Sequence, residues 1–230
     1  AREIDRIVVG SAFTPSAVLR LFPAQHHSAK SKGQFSRSLH SYMVYQSAIK
    51  SLNLTQLEYA VRERILRRRL KSRPFEKAEI LLMDHHQAHA EAAYRTQGRS
   101  KVLVLTLDAM GDGTTATAWM GINAELHPLW AQSGLAAINL FYSRITEVLG
   151  FTPLRHEGKI TGLAAYAPPP KALMKMFRQR LKFSHGHFKR MSLFTPARKD
   201  DSFWKAVNQY SREEVASAAQ TILEEVTLAF

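Results

Sequence analysis

The chain opens with a short apolar, β-branched run, Ile4 to Gly10, which predicts a strand. Ser11 to Gly33 carries Pro15, Pro23, His26, His27 and Gly33 without periodicity and reads as a loop. Apolar residues then fall at Leu39, Met43, Val44 and Ile49, the spacing of an amphipathic helix over Ser36 to Leu52. A second helix is expected from Thr55 to Lys71, with Thr55 and Glu58 as a capping box and Pro74 closing it. Ala78 to Met83 predicts a strand, Asp84 a cap, and His85 to Gln97 a helix stopped by Gly98. Lys101 to Leu107, Thr114 to Ile122 and Glu125 to Gln132 read as strands, the last two joined by a turn at Asn123-Ala124. Together they form a three-stranded antiparallel meander. Helices follow over Ile138 to Leu149, ended by Gly150, and over Gly158 to Ala167, stopped by Pro168-Pro169-Pro170. Further helices start at Lys171, near Ser202 and at Ser211. The pattern is that of an α/β protein with a mixed sheet, without internal repeat or low-complexity linker.

Composition narrows the chemistry. The 230 residues suffice for one sizeable core or two small ones, and 45% apolar with 22% charged residues is ordinary for a globular chain. Cysteine is absent, which excludes disulfides and thiolate metal sites. No apolar run approaches a membrane span, and the start lacks the regions of a signal peptide, so a cytoplasmic location is the expectation. The formal charge of +13 invites a nucleic-acid reading. Much of it is local, in Arg62 to Arg73 and Lys171 to Lys205; the first falls on one helix, where a solvated basic face is the plainer account. No aromatic-interleaved strand accompanies it. Ala1 is not an initiator Met, and the chain reads as a piece of a longer protein.

The candidate chemistry centres on Asp84-His85-His86-Gln87-Ala88-His89-Ala90 and Leu107-Asp108-Ala109-Met110-Gly111-Asp112-Gly113. His85 and His89, four apart in an Ala-rich helix, stack on one face. With Asp108 at a strand end they supply the ingredients of a site of two histidines and one carboxylate. A solvated or capping role is the plain alternative for the pair, and a cap on the amides of Met110 and Gly111 is the alternative for Asp108. His86 points about 100° away and is expected to pack or hydrogen-bond. The zincin pattern is not met, because His86 stands where its glutamate belongs. Asp112 is expected to hydrogen-bond within the turn, while Gly111 and Gly113 permit close approach of backbone to an anion. Glu157 and Lys159 put a carboxylate and an ammonium at a helix start, where an ordinary ion pair explains them from spacing alone. His26, His27, His127, His185 and His187 have no identifiable partner and read as surface or loop.

A strand, a tight turn and a strand, with an acidic residue ending the first, recurs in the superfamily of actin, heat-shock ATPases and sugar kinases, where turn amides face phosphate. Four segments in order then resemble the carbamoyltransferase family of nodulation and antibiotic-tailoring O-carbamoyltransferases, relatives of the threonylcarbamoyl-transfer proteins of tRNA modification. These are Asp84 to Tyr94, Val104 to Gly113, Phe141 to Phe151, and Glu157-Gly158-Lys159 with Gly162 to Tyr166. The resemblance implies an actin-like, ribonuclease H-like fold, incomplete at both ends. Residues 1–98 would close a first lobe and 99–230 open a second. It implies Fe(II), or another divalent metal, on His85, His89 and Asp108, with a further aspartate ligand past Phe230. Gly111, Asp112 and Gly113 would belong to the phosphate-facing bend, and Glu157 and Lys159 to the catalytic set. The implied reaction makes carbamoyl-adenylate from carbamoyl phosphate and ATP and passes the carbamoyl group to a hydroxyl of a sugar or natural product. A tRNA threonylcarbamoyl transferase and a non-catalytic actin-like nucleotide-binding module are the alternatives. Ala109 stands where the family usually has Gly, Thr161 where it has Met, and Ala167 where it has Gly. The chain alone is expected to be inactive.

Overall fold

The computed structural model describes residues 4–11, 37–70, 75, 77–153, 155–188 and 202–230. The expected loop from 12 onward, the closure at Pro74, His26 and His27, and part of the second basic region lie outside the described residues. The chain divides into two compact units, Ala1–His26 with Ser41–Leu135, and His27–His40 with Ala136–Phe230. The fold is mixed α/β, as the periodicity implies. The lobe boundary expected at 98/99, which concerns the actin-like lobes of the family, falls inside the first unit.

In the first unit β1 (Arg6–Val9) pairs in parallel with β2 (Glu79–Leu82), Ile7 opposite Ile80 and Val9 opposite Leu82. Parallel neighbours need a long crossover, and the intervening sequence carries α1 (Arg37–Ser51) and α2 (Thr55–Leu70). The Leu54 carbonyl receives the amides of Leu57 and Glu58, so Leu54 rather than Thr55 precedes the first helical residue. Glu58 is buried and accepts the Tyr45 hydroxyl at 3.0 Å. The basic face of α2 is exposed at Arg64, Arg67, Arg68 and Arg69, but Arg62 is fully buried, against the expectation of a wholly solvated face.

From β2 the chain passes through Asp84 into α3 (His85–Thr96), which Gly98 ends at φ +73°. The antiparallel meander follows: β3 (Lys101–Gly111), β4 (Thr114–Ile122) and β5 (Glu125–Ser133). Asn123 and Ala124 both have positive φ, the conformation of a two-residue hairpin whose twist suits the strands. One face of the meander packs Val102, Val104, Trp119 and Leu126 with Ala90 and Tyr94 of α3. Gly121 makes this packing possible, because a Cβ there would lie 2.5 Å from the Tyr94 ring. The core thus fixes α3 against β3, which carries Asp108, and β4, with Asp112 in the turn between them.

The second unit is helical: α4 (Ile138–Val148), α5 (Glu157–Leu163), α6 (Lys171–Arg180), α7 (Ser202–Val207) and α8 (Arg212–Ala229). The helix expected over 158–167 is shorter, with a separate 3-10 turn at Ala164–Tyr166 before the prolines. Phe141 of α4 meets Phe177 of α6 edge to face at 5.0 Å, in the middle of this core. Ser211 and Glu214 form a reciprocal capping box at the start of α8. A small hairpin, β6 (Phe183–Ser184) with β7 (His187–Phe188), turns at His185-Gly186 and had no counterpart in the sequence pattern.

Candidate metal centre

Asp84 organises the start of α3. Its Oδ1 accepts the amides of His86 at 2.9 Å and Gln87 at 3.2 Å, which are donors a helix start leaves unpaired. The first helical residue is therefore His85, and His89 lies one turn on, its ring at 83° to that of His85 with centroids 4.6 Å apart. The two Nε2 atoms are 3.1 Å apart.

β3 does not end at Leu107. Its register slips between Leu107 and Gly111, and the strand regains pairing at Gly111 opposite Thr114. Asp108 sits in this bulge, an irregularity that re-aims a side chain out of the ladder. The Thr115 hydroxyl donates to the Asp108 carbonyl at 2.6 Å, and the Ala109 amide donates to Asp108 Oδ1 at 2.6 Å. The alternative reading of Asp108, a cap on Met110 and Gly111, is replaced by a bond to the next amide. Oδ2 lies 2.7 Å from His85 Nε2. One ligand atom from each of His85, His89 and Asp108 falls within 4.8 Å of the others. His85 and Asp108 are half-buried and His89 exposed.

The glycines serve packing here. A Cβ on Gly111 would lie 1.9 Å from His85 Cδ2, so only glycine leaves room for the ring. Gly113 has φ +80°, and a Cβ there would lie 2.7 Å from the Gln46 carbonyl oxygen. Asp112, fully buried at φ +50°, reaches out of its turn. Its Oδ2 accepts the His85 amide at 3.0 Å and its Oδ1 the Ser11 hydroxyl at 3.1 Å. The bend is thereby tied both to α3 and to the end of β1.

His86 faces the sheet, where its hydrogen bonds define one tautomer. Nε2 lies 3.0 Å from the Thr114 carbonyl, which can only accept, so Nε2 carries the proton. Burial pushes the pKa of His86 down and keeps it neutral, so Nδ1 accepts from the Thr106 hydroxyl at 2.6 Å. Thr106 Oγ1 in turn receives the Thr117 hydroxyl at 2.5 Å, and Thr117 receives the Trp119 indole N–H at 2.6 Å. Every member has one role, as a buried polar chain requires.

The hydrogen bond to Asp108 is the main cause raising the pKa of His85, against an opposing effect of burial. The same bond is the main cause holding Asp108 down at about 2. Ring and carboxylate thus meet through a hydrogen bond at the place where a cation would sit. Ligands about 2.1 Å from a metal and at right angles stand about 3.0 Å apart. Two of the three separations, 2.7 and 3.1 Å, bracket that figure, and His89 and Asp108 lie within 4.8 Å of each other; two imidazoles with one carboxylate suit Fe(II), Zn(II) or Mn(II).

The sequence reading missed the supports from α1. Lys50 Nζ pairs with Asp84 Oδ2 at 2.9 Å, and Gln46 Oε1 accepts the Gly113 amide at 3.1 Å. Both are polar residues one turn apart on the helix side that buries Met43 and Ser47, the available signal for a non-solvent role. Lys50 and Asp84 also line a cleft of about 450 Å³ with Thr117, Trp119 and residues 128–131. Glu157 and Lys159 belong to the other unit. Ser143 Oγ donates to Glu157 at 2.6 Å, while the exposed Lys159 has Nζ 5.5 Å from the Phe151 ring centroid. His127 lies 3.8 Å from Glu125 at the surface.

Fold and site together describe a mixed α/β protein that gathers two imidazoles and a carboxylate beside a glycine-rich bend. The chain belongs to the family described as Carbamoyltransferase N-terminus, which it matches over residues 28–229. It is 33% identical over 90 residues to an uncharacterized protein of Synechocystis sp., a stretch covering 39% of this chain and 15% of that protein. It is 32% identical over 121 residues to an uncharacterized protein of Methanocaldococcus jannaschii, covering 46% and 20%. To the nodulation protein NolNO of Sinorhizobium fredii it is 30% identical over 92 residues, covering 40% and 13%. The matched stretches span a fifth or less of these relatives. No helix among the described residues is long and apolar enough to cross a membrane.

Proposed function

We propose that this chain is the metal-bearing part of an ATP-dependent O-carbamoyltransferase. In that reading the whole protein makes carbamoyl-adenylate from carbamoyl phosphate and ATP and transfers the carbamoyl group to a hydroxyl of a sugar or natural product. The observation that carries it is the convergence of His85, His89 and Asp108 in a chain of this family. His85 and His89 present Nε2 from one helical face, Asp108 presents Oδ2 from the bulge, and Asp112 holds the bend against the helix start. A bound Fe(II) or similar cation supplies Lewis-acid stabilisation of charge on phosphate or carbonyl oxygens. Gly111, Asp112 and Gly113 shape the bend beside the cation, with the Gly113 amide committed to Gln46, and Glu157 and Lys159 are assigned to the catalytic set by the family resemblance alone. The actin-like lobes, with residues 1–98 in the first and 99–230 in the second, are part of the same proposal.

Two measurements test it. The 230-residue chain should bind one equivalent of Fe(II) or Zn(II) and lose it in His85→Ala, His89→Ala and Asp108→Ala while remaining folded. The full-length protein should transfer carbamoyl groups from carbamoyl phosphate with ATP, and the chain alone should not. Stoichiometric metal binding that survives all three substitutions would remove the site. The second reading, a tRNA threonylcarbamoyl transferase, draws on the charge of +13 and the exposed arginines of α2. It predicts tRNA affinity that falls steeply with salt, whereas the preferred reading predicts none beyond weak nonspecific binding.

A further inference from the structure

The ligands to the proposed cation come from two elements joined in the chain by residues 97–100. His85 and His89 ride on α3, and Asp108 rides on the bulge of β3. These elements meet directly at His86 and Thr106, at His85 and Asp108, and where Ala90 and Tyr94 pack on Val104, and the bend after the bulge is tied to α3 by the His85 amide on Asp112 Oδ2. A second tie runs through α1 and uses two of its side chains. Gln46 Oε1 accepts the Gly113 amide at 3.1 Å, on the bend that follows the bulge. Lys50 Nζ holds Asp84 Oδ2 at 2.9 Å, and the other oxygen of Asp84 caps α3. Gln46 and Lys50 are four residues apart, so the spacing of the two anchors is set by about 6 Å of helix rise rather than by flexible chain. The bend also sits directly on the helix between them. A Cβ at Gly113 would lie 2.7 Å from the Gln46 carbonyl oxygen and 3.3 Å from Lys50 Cβ. Gln46 is fully buried, which excludes water as a substitute for its bond.

We infer that Gln46 and Lys50 are positioning residues: one turn of α1 clasps the bend after Asp108 and the cap of the histidine helix at metal-binding distance. The affinity arm of the test rests on the metal-site reading, and a second arm does not. Lys50→Met keeps the stem and removes the ion pair, Gln46→Met keeps the volume and removes the acceptor, and Lys50→Arg restores a cation. Co(II) is the probe, read by chelator competition and by its visible spectrum in the 230-residue chain. Lys50→Met and Gln46→Met should each weaken Co(II) about 10–100-fold, the scale for groups that orient ligands, and change the spectrum. Lys50→Arg should return towards wild type. In the metal-free chain, the nuclear Overhauser effect between the His85 Hδ2 proton and the Gly111 Hα protons should weaken in the same two variants. Unchanged affinity, spectrum and Overhauser effect in Lys50→Met would overturn the clasp. Should wild type bind no Co(II) while the Overhauser effect weakens in the variants, the metal reading falls and the clasp stands. If Gln46→Met fails to fold, the partly exposed Lys50→Met decides alone.

Discussion

Gly111→Ala is the smallest change that reaches the heart of the site. The added Cβ would stand 1.9 Å from Cδ2, 2.2 Å from Cγ and 2.7 Å from Nε2 of His85, where ordinary contact begins at 3.4 Å. Ring or strand must therefore give by about 1.5 Å. The strand resists, because Gly111 pairs with Thr114 and the next residue, Asp112, holds the His85 amide. The ring must move, and it leaves Asp108 as it does. Metal–ligand distances tolerate about 0.2 Å, so one of three ligands is lost, and an affinity loss of at least about 100-fold is expected. Overpacking of this kind also costs about 1–3 kcal/mol of stability. The assay is a double-mutant cycle with His85→Ala, read by urea unfolding of the metal-free chain, alongside Zn(II) competition for Gly111→Ala. With the imidazole gone, Gly111→Ala should be within about 0.5 kcal/mol of neutral. An equal cost in both backgrounds would refute the steric account, since the clash would then not be with His85.

Thr106→Val should destabilise the fold by about 1–3 kcal/mol in urea unfolding, because it leaves His86 Nδ1 without a donor and the Thr117 hydroxyl without its acceptor; Thr106→Ser should recover most of it. The metal-free His85–Asp108 pair should make stability depend on pH in two directions. The raised His85 contributes below the ordinary histidine pKa of about 6.5 and loses that contribution as pH rises through its folded value. Asp108, held at about 2, contributes above the ordinary carboxylate pKa and loses that contribution as pH falls through about 2. The difference in melting temperature between wild type and Asp108→Asn should therefore peak between about pH 4 and 6.5, and a flat difference from pH 2 to 9 would contradict the pair. Ala124→Gly should stabilise slightly: relief of φ +69°, about 1–2 kcal/mol, exceeds the roughly 0.5–1 kcal/mol entropic cost of glycine, and thermal denaturation reads the sign.

What the sequence made legible is what is encoded within a few residues. Four-residue spacing stacks His85 on His89, Asp84 stands where a cap belongs, and Gly98 and Gly150 end their helices at positive φ. The meander is likewise local, with each strand next to its partner along the chain. The misses are residues whose partners are distant in sequence. Asp112 looks like a turn residue until Ser11, 101 positions earlier, and the His85 amide are placed around it. Gln46 and Lys50 look like surface positions until the bend and the cap are laid against them. The bulge at Asp108 is half legible: the strand pattern ends at Leu107, where regular pairing stops, but the resumption at Gly111 depends on Thr114 across the hairpin.

These two groups of residues divide the work of the site. Local encoding places each ligand on its own element, but it cannot set the distance between His89 on α3 and Asp108 on β3. That distance comes from the packing of Ala90 and Tyr94 on Val104 and the His86–Thr106 bond, and at the bend from the buried polar bonds of Asp112 and Gln46 and the space left by Gly111 and Gly113. The four residues at the bend carry no ligand atom of the cluster, and a Cβ at either glycine would meet a histidine ring or a helix carbonyl. A substitution in this set should therefore degrade metal binding while leaving all three ligands in the sequence. A motif scan restricted to His85, His89 and Asp108 would score such a chain as intact. Compatibility with the cation is thus better judged from the glycines and the buried Asp112 than from the ligands themselves.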